Sequence, residues 1–282
     1  MKTRVITGTI MTAVFVVPCI LSNYLVYPIV MALLAAIAVF EMLRVLGIEK
    51  NFAVAIPAYL LALFMPTFAF YADELPRGQY DYYLVMALSL TVYLVYLFVL
   101  AVLMRGRLKF SAVSGTFTTI CYIVVAFSAL SLIRYIENGV FVFVIVFISS
   151  SVCDVFAYFT GYLFGKHKLI PEISPKKTVE GAIGGTAFAV LALLLYVFII
   201  DLAVEGMAVN YWLALAYGLV LAIVGQFGDL VASFIKREYG VKDYGTLFPG
   251  HGGVLDRFDS MLTISLVLLL ISAALPPIFT LA

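Results

Sequence analysis

Nearly all of this 282-residue chain is a succession of apolar runs. About nine of them are long enough to cross the roughly 30 Å hydrocarbon layer of a bilayer as helices of about 20 residues. They fall at 5–22, 24–46, 52–72, 81–103, 110–134, 139–164, 180–201, 210–236 and 258–281. A segment in lipid must satisfy its own backbone N–H and C=O groups, so such runs read as helices. The expected fold is all-α: a polytopic integral membrane protein with its N-terminus in the cytoplasm. Hydrophobic residues make up 65% of the chain, charged residues 12%, and the mean hydropathy is +1.14, which together exclude an ordinary soluble domain. The first run has no small-residue cleavage site and a second run follows at once, so it reads as a retained span. Pro57 and Pro66 are expected to kink the third run. Gly161 and Gly165, and Gly181 and Gly185, have the spacing that lets helices pack closely. Cys19, Cys121 and Cys153 all lie inside apolar runs, without metal-ligand spacing, and read as small core residues.

Lysine and arginine set the expected orientation. With a cytoplasmic N-terminus, Arg77 and Arg134 alone fall on the far side, and the other fifteen of the 17 cations face the cytoplasm. The two long polar segments, 165–180 and 237–257, then share that face. The net charge of +1 is uninformative, because the distribution of charge carries the signal.

Chemistry concentrates between Gly228 and Asp259. Asp229, Ser233 and Arg237 recur at i, i+4 and i+8, with Lys236 beside them, so one helix face carries a carboxylate, a hydroxyl and two cations. A glycine-rich charged loop follows, containing Lys242, Asp243 and His251-Gly252-Gly253, and then Asp256, Arg257 and Asp259 open the last apolar run. Carboxylates bind Mg²⁺, while lysine, arginine and glycine-exposed N–H groups bind phosphate. The pattern points to a metal-dependent polyphosphate site at a membrane surface. Lys176, Lys177 and Thr178 precede the seventh run, where a helix N-terminus can hold phosphate; a positive-inside anchor is the plainer alternative. Asp154, an acid inside the sixth run, needs a partner or a task. Glu41 and Arg44, three residues apart, read as a local pair. His167 and His251 form no zinc site with the cysteines.

Ser233-x-x-Lys236-Arg237, then Lys242-Asp243, then His251-Gly-Gly-x-x-Asp256-Arg257-x-Asp259 resembles the signature of the phosphatidate cytidylyltransferases, the CDP-diacylglycerol synthases. Asp154-x-x-Ala157-Tyr158 with Gly161, and Ser174-Pro-Lys-Lys-Thr-x-Glu-Gly181, are similar to that family's upstream blocks. The likeness is strongest from about residue 150 onward and shows no departure within the signature. It implies transfer of CMP from CTP to phosphatidate, giving CDP-diacylglycerol and pyrophosphate. The expected catalytic set is Asp229, Ser233, Lys236, Arg237, Lys242, Asp243, His251, Asp256, Arg257 and Asp259. Substrate binding is expected at Lys176, Lys177, Thr178, Lys236, Arg237, Lys242, His251, Gly252, Gly253 and Arg257. Asp229 and Asp256 are the expected ligands of Mg²⁺, for which Mn²⁺ could substitute, with Asp259 or Asp154 in support. A second cation, K⁺ among the candidates, stays open.

The expected organisation is a scaffold of helices over 1–135 and a catalytic region over 136–282, with the signature at 228–259. The expected partners are CTP, phosphatidate and membrane lipid, without nucleic acid, and a homodimer is an open alternative. A prokaryotic inner membrane is the expected location, with the site facing the cytoplasm. The rival readings are another CTP-using membrane enzyme, such as a polyprenol kinase, and a transporter for an anion or cation using Asp154 and Asp229.

Overall fold

A computed structural model of the chain describes residues 26–105 and 107–281. Among these, eight helices are long and apolar enough to cross a membrane: α1 (Val26–Val45), α2 (Phe52–Ala69), α3 (Gln79–Leu103), α4 (Phe110–Leu132), α5 (Gly139–Phe164), α6 (Val179–Ala203), α7 (Tyr211–Glu238) and α8 (Leu255–Ala274). The protein is a multi-pass membrane protein. The expected run 5–22 lies outside the described residues. The last run is corrected at both ends: it starts three residues early, at Leu255, and stops at Ala274 instead of 281. Pro276 and Pro277 end it, because proline has no N–H to continue the ladder. The tail turns back as strand β4 (Phe279–Leu281), which pairs antiparallel with β3 (Met207–Val209). A second two-stranded hairpin, β1 (Lys168–Ile170) and β2 (Ser174–Thr178), joins α5 to α6.

The described residues form two compact units. The first contains α1–α4 and the loop Tyr239–Arg257. Its helices expose large apolar side chains, as a lipid-facing surface requires. On α3 only Tyr82, Met86, Tyr93 and Leu97 are buried, a single seam at near-helical spacing, while Val92 and Val102 face outward. Both expected kink prolines lie inside α2. Pro57 removes the N–H that would bond the carbonyl of Ala53, and Tyr96 on α3 donates its hydroxyl to that oxygen at 2.8 Å.

The second unit contains α5, α6, α7 and the chain from Phe258 onward. Here α5 and α6 pack through glycine. A Cβ on Gly181 would come within 2.6 Å of the carbonyl of Ala157, and one on Gly185 within 2.7 Å of that of Cys153. The glycines at 161 and 181 therefore serve close approach, since a Cβ at Gly161 would also lie 3.5 Å from Gly181 Cα. Gly181→Ala should cost about 1–3 kcal/mol, seen as a lower melting temperature of the protein in detergent micelles; an unchanged melting temperature would show that the helices can separate freely. Helix α5 is interrupted by a π-helical turn at Ile148–Val152, which buries Ser149 and Ser150 and restarts the α-helix at Cys153, one residue before Asp154. Ser150 and Ser260 share a hydrogen bond of 2.6 Å, tying this turn to α8 beside Asp259.

Candidate active site

A cavity of about 580 Å³ opens in the second unit, with Asp154, Lys168, Lys176, Lys177, Gln226 and Asp229 in its lining. The charged groups arrive by three routes, from α5, from the β1–β2 hairpin and from α7. The π-helical turn sets the register from which Asp154 projects, since the widened turn shifts the residues after it. The hairpin β1–β2 carries the three lysines. Thr178 ends that hairpin as the N-cap of α6, its hydroxyl accepting the Gly181 N–H at 3.1 Å. Glu180 holds the start of the hairpin by accepting the backbone N–H of Lys166 and His167 at 3.1 and 3.2 Å, and its carboxylate lies 2.6 Å from His167 Nδ1. Asp229 comes from α7, where Gly228 lets α8 approach: a Cβ there would stand 2.9 Å from the carbonyl of Asp259.

The cavity's central contact is an ion pair of 2.5 Å between Lys177 Nζ and Asp229 Oδ2. Ser233, one turn along α7, donates to Asp229 Oδ1 at 3.4 Å, and Arg237 Nε donates to the carbonyl of Ile173 at 3.3 Å. The end of α7 is thereby fastened to the hairpin. Asp259 lies in the electrostatic field of Asp229, Asp154 and the buried Lys236, and its Oδ1 accepts the Ser260 N–H at 2.8 Å. Sequence-predicted residues 154, 176, 177, 178 and 229 thus line one cavity, with 233, 236, 237 and 259 on or beside α7 in the same unit.

A second hollow, about 890 Å³ and lined by apolar side chains such as Ile183, Leu191, Leu215, Leu219 and Phe227, runs along α6 and α7. It shares Leu169, Ala182 and Gln226 with the charged cavity. Gln226 stands at the junction, donating to Thr186 Oγ1 at 2.8 Å and to the carbonyl of Ala182 at 3.2 Å. Sequence reading missed this glutamine, whose signal was an amide inside an apolar run two residues before Gly228.

The remaining predicted residues, 242–257, belong to the first unit. Lys242, Asp243 and Arg257 are exposed. Gly250 and Gly252 take left-handed φ values of +80° and +84°, closing a tight turn in which His251 N–H bonds Phe248 O at 2.8 Å and Phe248 N–H bonds Gly252 O at 2.9 Å. Gly253 does not offer its N–H outward; it donates to Asp256 Oδ2 at 2.9 Å, the same oxygen that accepts from Tyr244 at 2.7 Å and Gly245 at 3.4 Å. Glu41 and Arg44, read from sequence as a local pair, both reach this loop. Glu41 accepts from Val254 and Leu255 at 2.9 Å each, and Arg44 donates to the carbonyl of Tyr244 at 2.6 Å. The physical reason is that helix α8 begins with N–H groups that need an acceptor, and the nearby sequence supplies little else.

Among the described residues, no three His, Cys, Asp or Glu side chains stand together as a ready-made metal cage. The donor set still suits Mg²⁺. That ion takes hard oxygen ligands, commonly one or two carboxylates completed by water and substrate phosphate. Asp154 and Asp229 line one cavity, and a lysine ammonium already sits against Asp229 as a resident cation.

Charged groups of both signs line a cavity that adjoins an apolar hollow in this multi-pass membrane protein. The chain belongs to the cytidylyltransferase family, whose match spans residues 2–275. It is similar to a phosphatidate cytidylyltransferase of Staphylococcus epidermidis, 35% identical over 269 residues, covering 93% of this chain and 95% of that protein. Those of Staphylococcus haemolyticus and Staphylococcus aureus strain COL are 34% identical over 265 residues, with the same coverage.

Proposed function

We propose that the chain transfers CMP from CTP to phosphatidate, giving CDP-diacylglycerol and pyrophosphate. The observation that carries this reading is the pair of adjoining hollows: a charged one suited to phosphates and an apolar one suited to acyl chains, meeting at Gln226. The similarity to phosphatidate cytidylyltransferases over most of both chains supports the same reaction. A phosphate oxygen of the lipid attacks the α-phosphorus of CTP in line, and pyrophosphate leaves. That oxygen is anionic already, so orientation and charge neutralisation carry the catalysis more than a strong base does.

Lys168, Lys176 and Lys177 are proposed to gather the triphosphate and the lipid phosphate. Asp229, supported by Asp154 and Asp259, would hold Mg²⁺, with Ser233 orienting its carboxylate. When bound there, the ion would neutralise charge developing on the phosphoryl oxygens. Arg237 fixes the end of α7 through the carbonyl of Ile173 and, with Lys236, adds positive charge. The exposed Lys242 and Arg257, together with His251, are proposed to serve the same reaction from the loop. Asp256 is read as the builder of that loop, because its Oδ2 accepts three backbone N–H groups. The cation-rich ends, with fifteen of 17 lysines and arginines by the positive-inside count, are proposed to face the cytoplasmic side of a bacterial inner membrane, where CTP is found.

Purified protein supplied with phosphatidate, Mg²⁺ and CTP labelled in the cytosine ring should move the label into lipid, with pyrophosphate released in equal amount. Label appearing in lipid only from γ-labelled CTP would show a kinase instead. Lys177→Ala should lower kcat/KM for CTP on the order of 10²-fold, measured from initial rates; an unchanged kcat/KM would remove Lys177 from phosphate binding.

A further inference from the structure

We infer that Glu41 is a positioning residue of the transfer reaction: from the first described helix it fixes the shape of the signature loop that follows α7. This rests on the cytidylyl-transfer reading above. Nothing in the signature points to position 41, which lies far from it in the chain. The argument is local to the first unit, where the loop and α1 both lie.

Glu41 is 2% exposed, and each of its oxygens accepts one backbone N–H, Oε1 from Val254 and Oε2 from Leu255. Leu255 is the first residue of α8, so these are N–H groups that no helical carbonyl can satisfy. A helix start normally takes Ser, Thr, Asp or Asn at the N-cap, whose short side chain does this locally. Here the preceding residues are Gly252, Gly253 and Val254, and none has a side-chain oxygen to offer. The acceptor comes instead from a residue more than two hundred positions earlier, and it is a carboxylate, which is costly to bury. Capping alone does not require that arrangement; joining the loop to α1 does.

Three further observations agree. A Cβ on either Gly245 or Gly253 would fall within the Glu41 carboxylate, so both glycines are explained by its presence and not by a left-handed backbone. Arg44, one turn along α1, secures the other end of the loop through the carbonyl of Tyr244. Asp256 then closes the loop's base by drawing in the N–H groups of Tyr244 and Gly253. With its base held by two acids and an arginine, the loop presents a tip at 246–251 that is mostly exposed and carries His251. Glu41 acts through the loop and need touch no substrate.

The test is Glu41→Gln, which keeps size but offers an N–H₂ to one of the two donors. In the purified protein kcat should fall about 10²-fold, as expected for a misplacement distant from the chemistry, while KM for phosphatidate stays within about twofold of wild type. Hydrogen exchange should quicken at 244–255 and stay unchanged in α2 and α3. Arg44→Met, which leaves the carboxylate in place, should show the same split in weaker form and carries the test should the glutamine variant not fold. Wild-type kcat in both variants, or a loss of kcat that only follows the folded fraction, would overturn the inference. Absence of product from the wild-type protein would instead overturn the reaction it rests on.

Discussion

Asp229→Asn should lower kcat/KM on the order of 10³-fold, the loss expected when a charge acting on the reacting phosphates is removed from a prepared site. Asparagine preserves the size of the side chain and an acceptor for Ser233, but it removes the negative charge facing Lys177 at 2.5 Å. Stability should hardly change. The pair is partly open, with the two side chains 26% and 24% exposed, and such ion pairs are worth about 0–1 kcal/mol. The variant should therefore melt within a few degrees of wild type while keeping only a small residual rate. A Mg²⁺ titration of the residual rate makes the result specific: the variant should need more ion for half-maximal rate. Full activity with an unshifted Mg²⁺ dependence would remove Asp229 from the ion's ligands.

At Asp256 the opposite balance is expected, with the largest effect on stability. Its carboxylate is buried and Oδ2 is shared by the N–H groups of Tyr244, Gly245 and Gly253. Hydrogen bonds to a charged group contribute about 1.5–3 kcal/mol each, and an orphaned buried donor costs about 1–3 kcal/mol. The three are not additive, because they meet on one oxygen. Asp256→Ala should therefore destabilise the protein by about 3 kcal/mol or more and, with the loop released, lower turnover by about 10²-fold. Asp256→Asn retains an acceptor in the same place and should recover most of the lost melting temperature. Equal melting temperatures for wild type and the alanine variant would contradict the loop-building role.

The helices were legible because bilayer thickness and backbone satisfaction leave few choices for a run of twenty apolar residues. The eight described helices match the expected runs to within a few residues at most ends, and the early stop at Ala274 was foreshadowed by Pro276 and Pro277. Shorter features left no periodic trace. The hairpin at 168–178 is too polar and brief for an alternation pattern, although it delivers Lys177 to Asp229 and Lys176 to the same cavity. The π-helical turn before Asp154 showed only as three serines in an apolar run. Residue types singled out 154 and 229, because charge inside a membrane span is expensive and seldom idle, and the structure places both in one cavity with Lys176 and Lys177 of the hairpin. What type could not reveal was the use made of each oxygen. Oδ2 of Asp256 and both oxygens of Glu41 accept backbone N–H groups, contacts visible only once the chain's folding brings positions 41 and 254 together. In sequence, Glu41 has Arg44 for company and passes for its partner.

The central claim is that the charged cavity of the second unit receives the nucleotide triphosphate. Amine labelling of the native protein in micelles, read by mass spectrometry at each lysine with and without CTP and Mg²⁺, tests it most directly. Lys168 and Lys176 line the cavity and are exposed, whereas Lys50 and Lys109 are exposed elsewhere. CTP should slow labelling at Lys168 and Lys176 and leave Lys50 and Lys109 unaffected. Labelling at Lys168 and Lys176 that ignores saturating CTP would contradict the account.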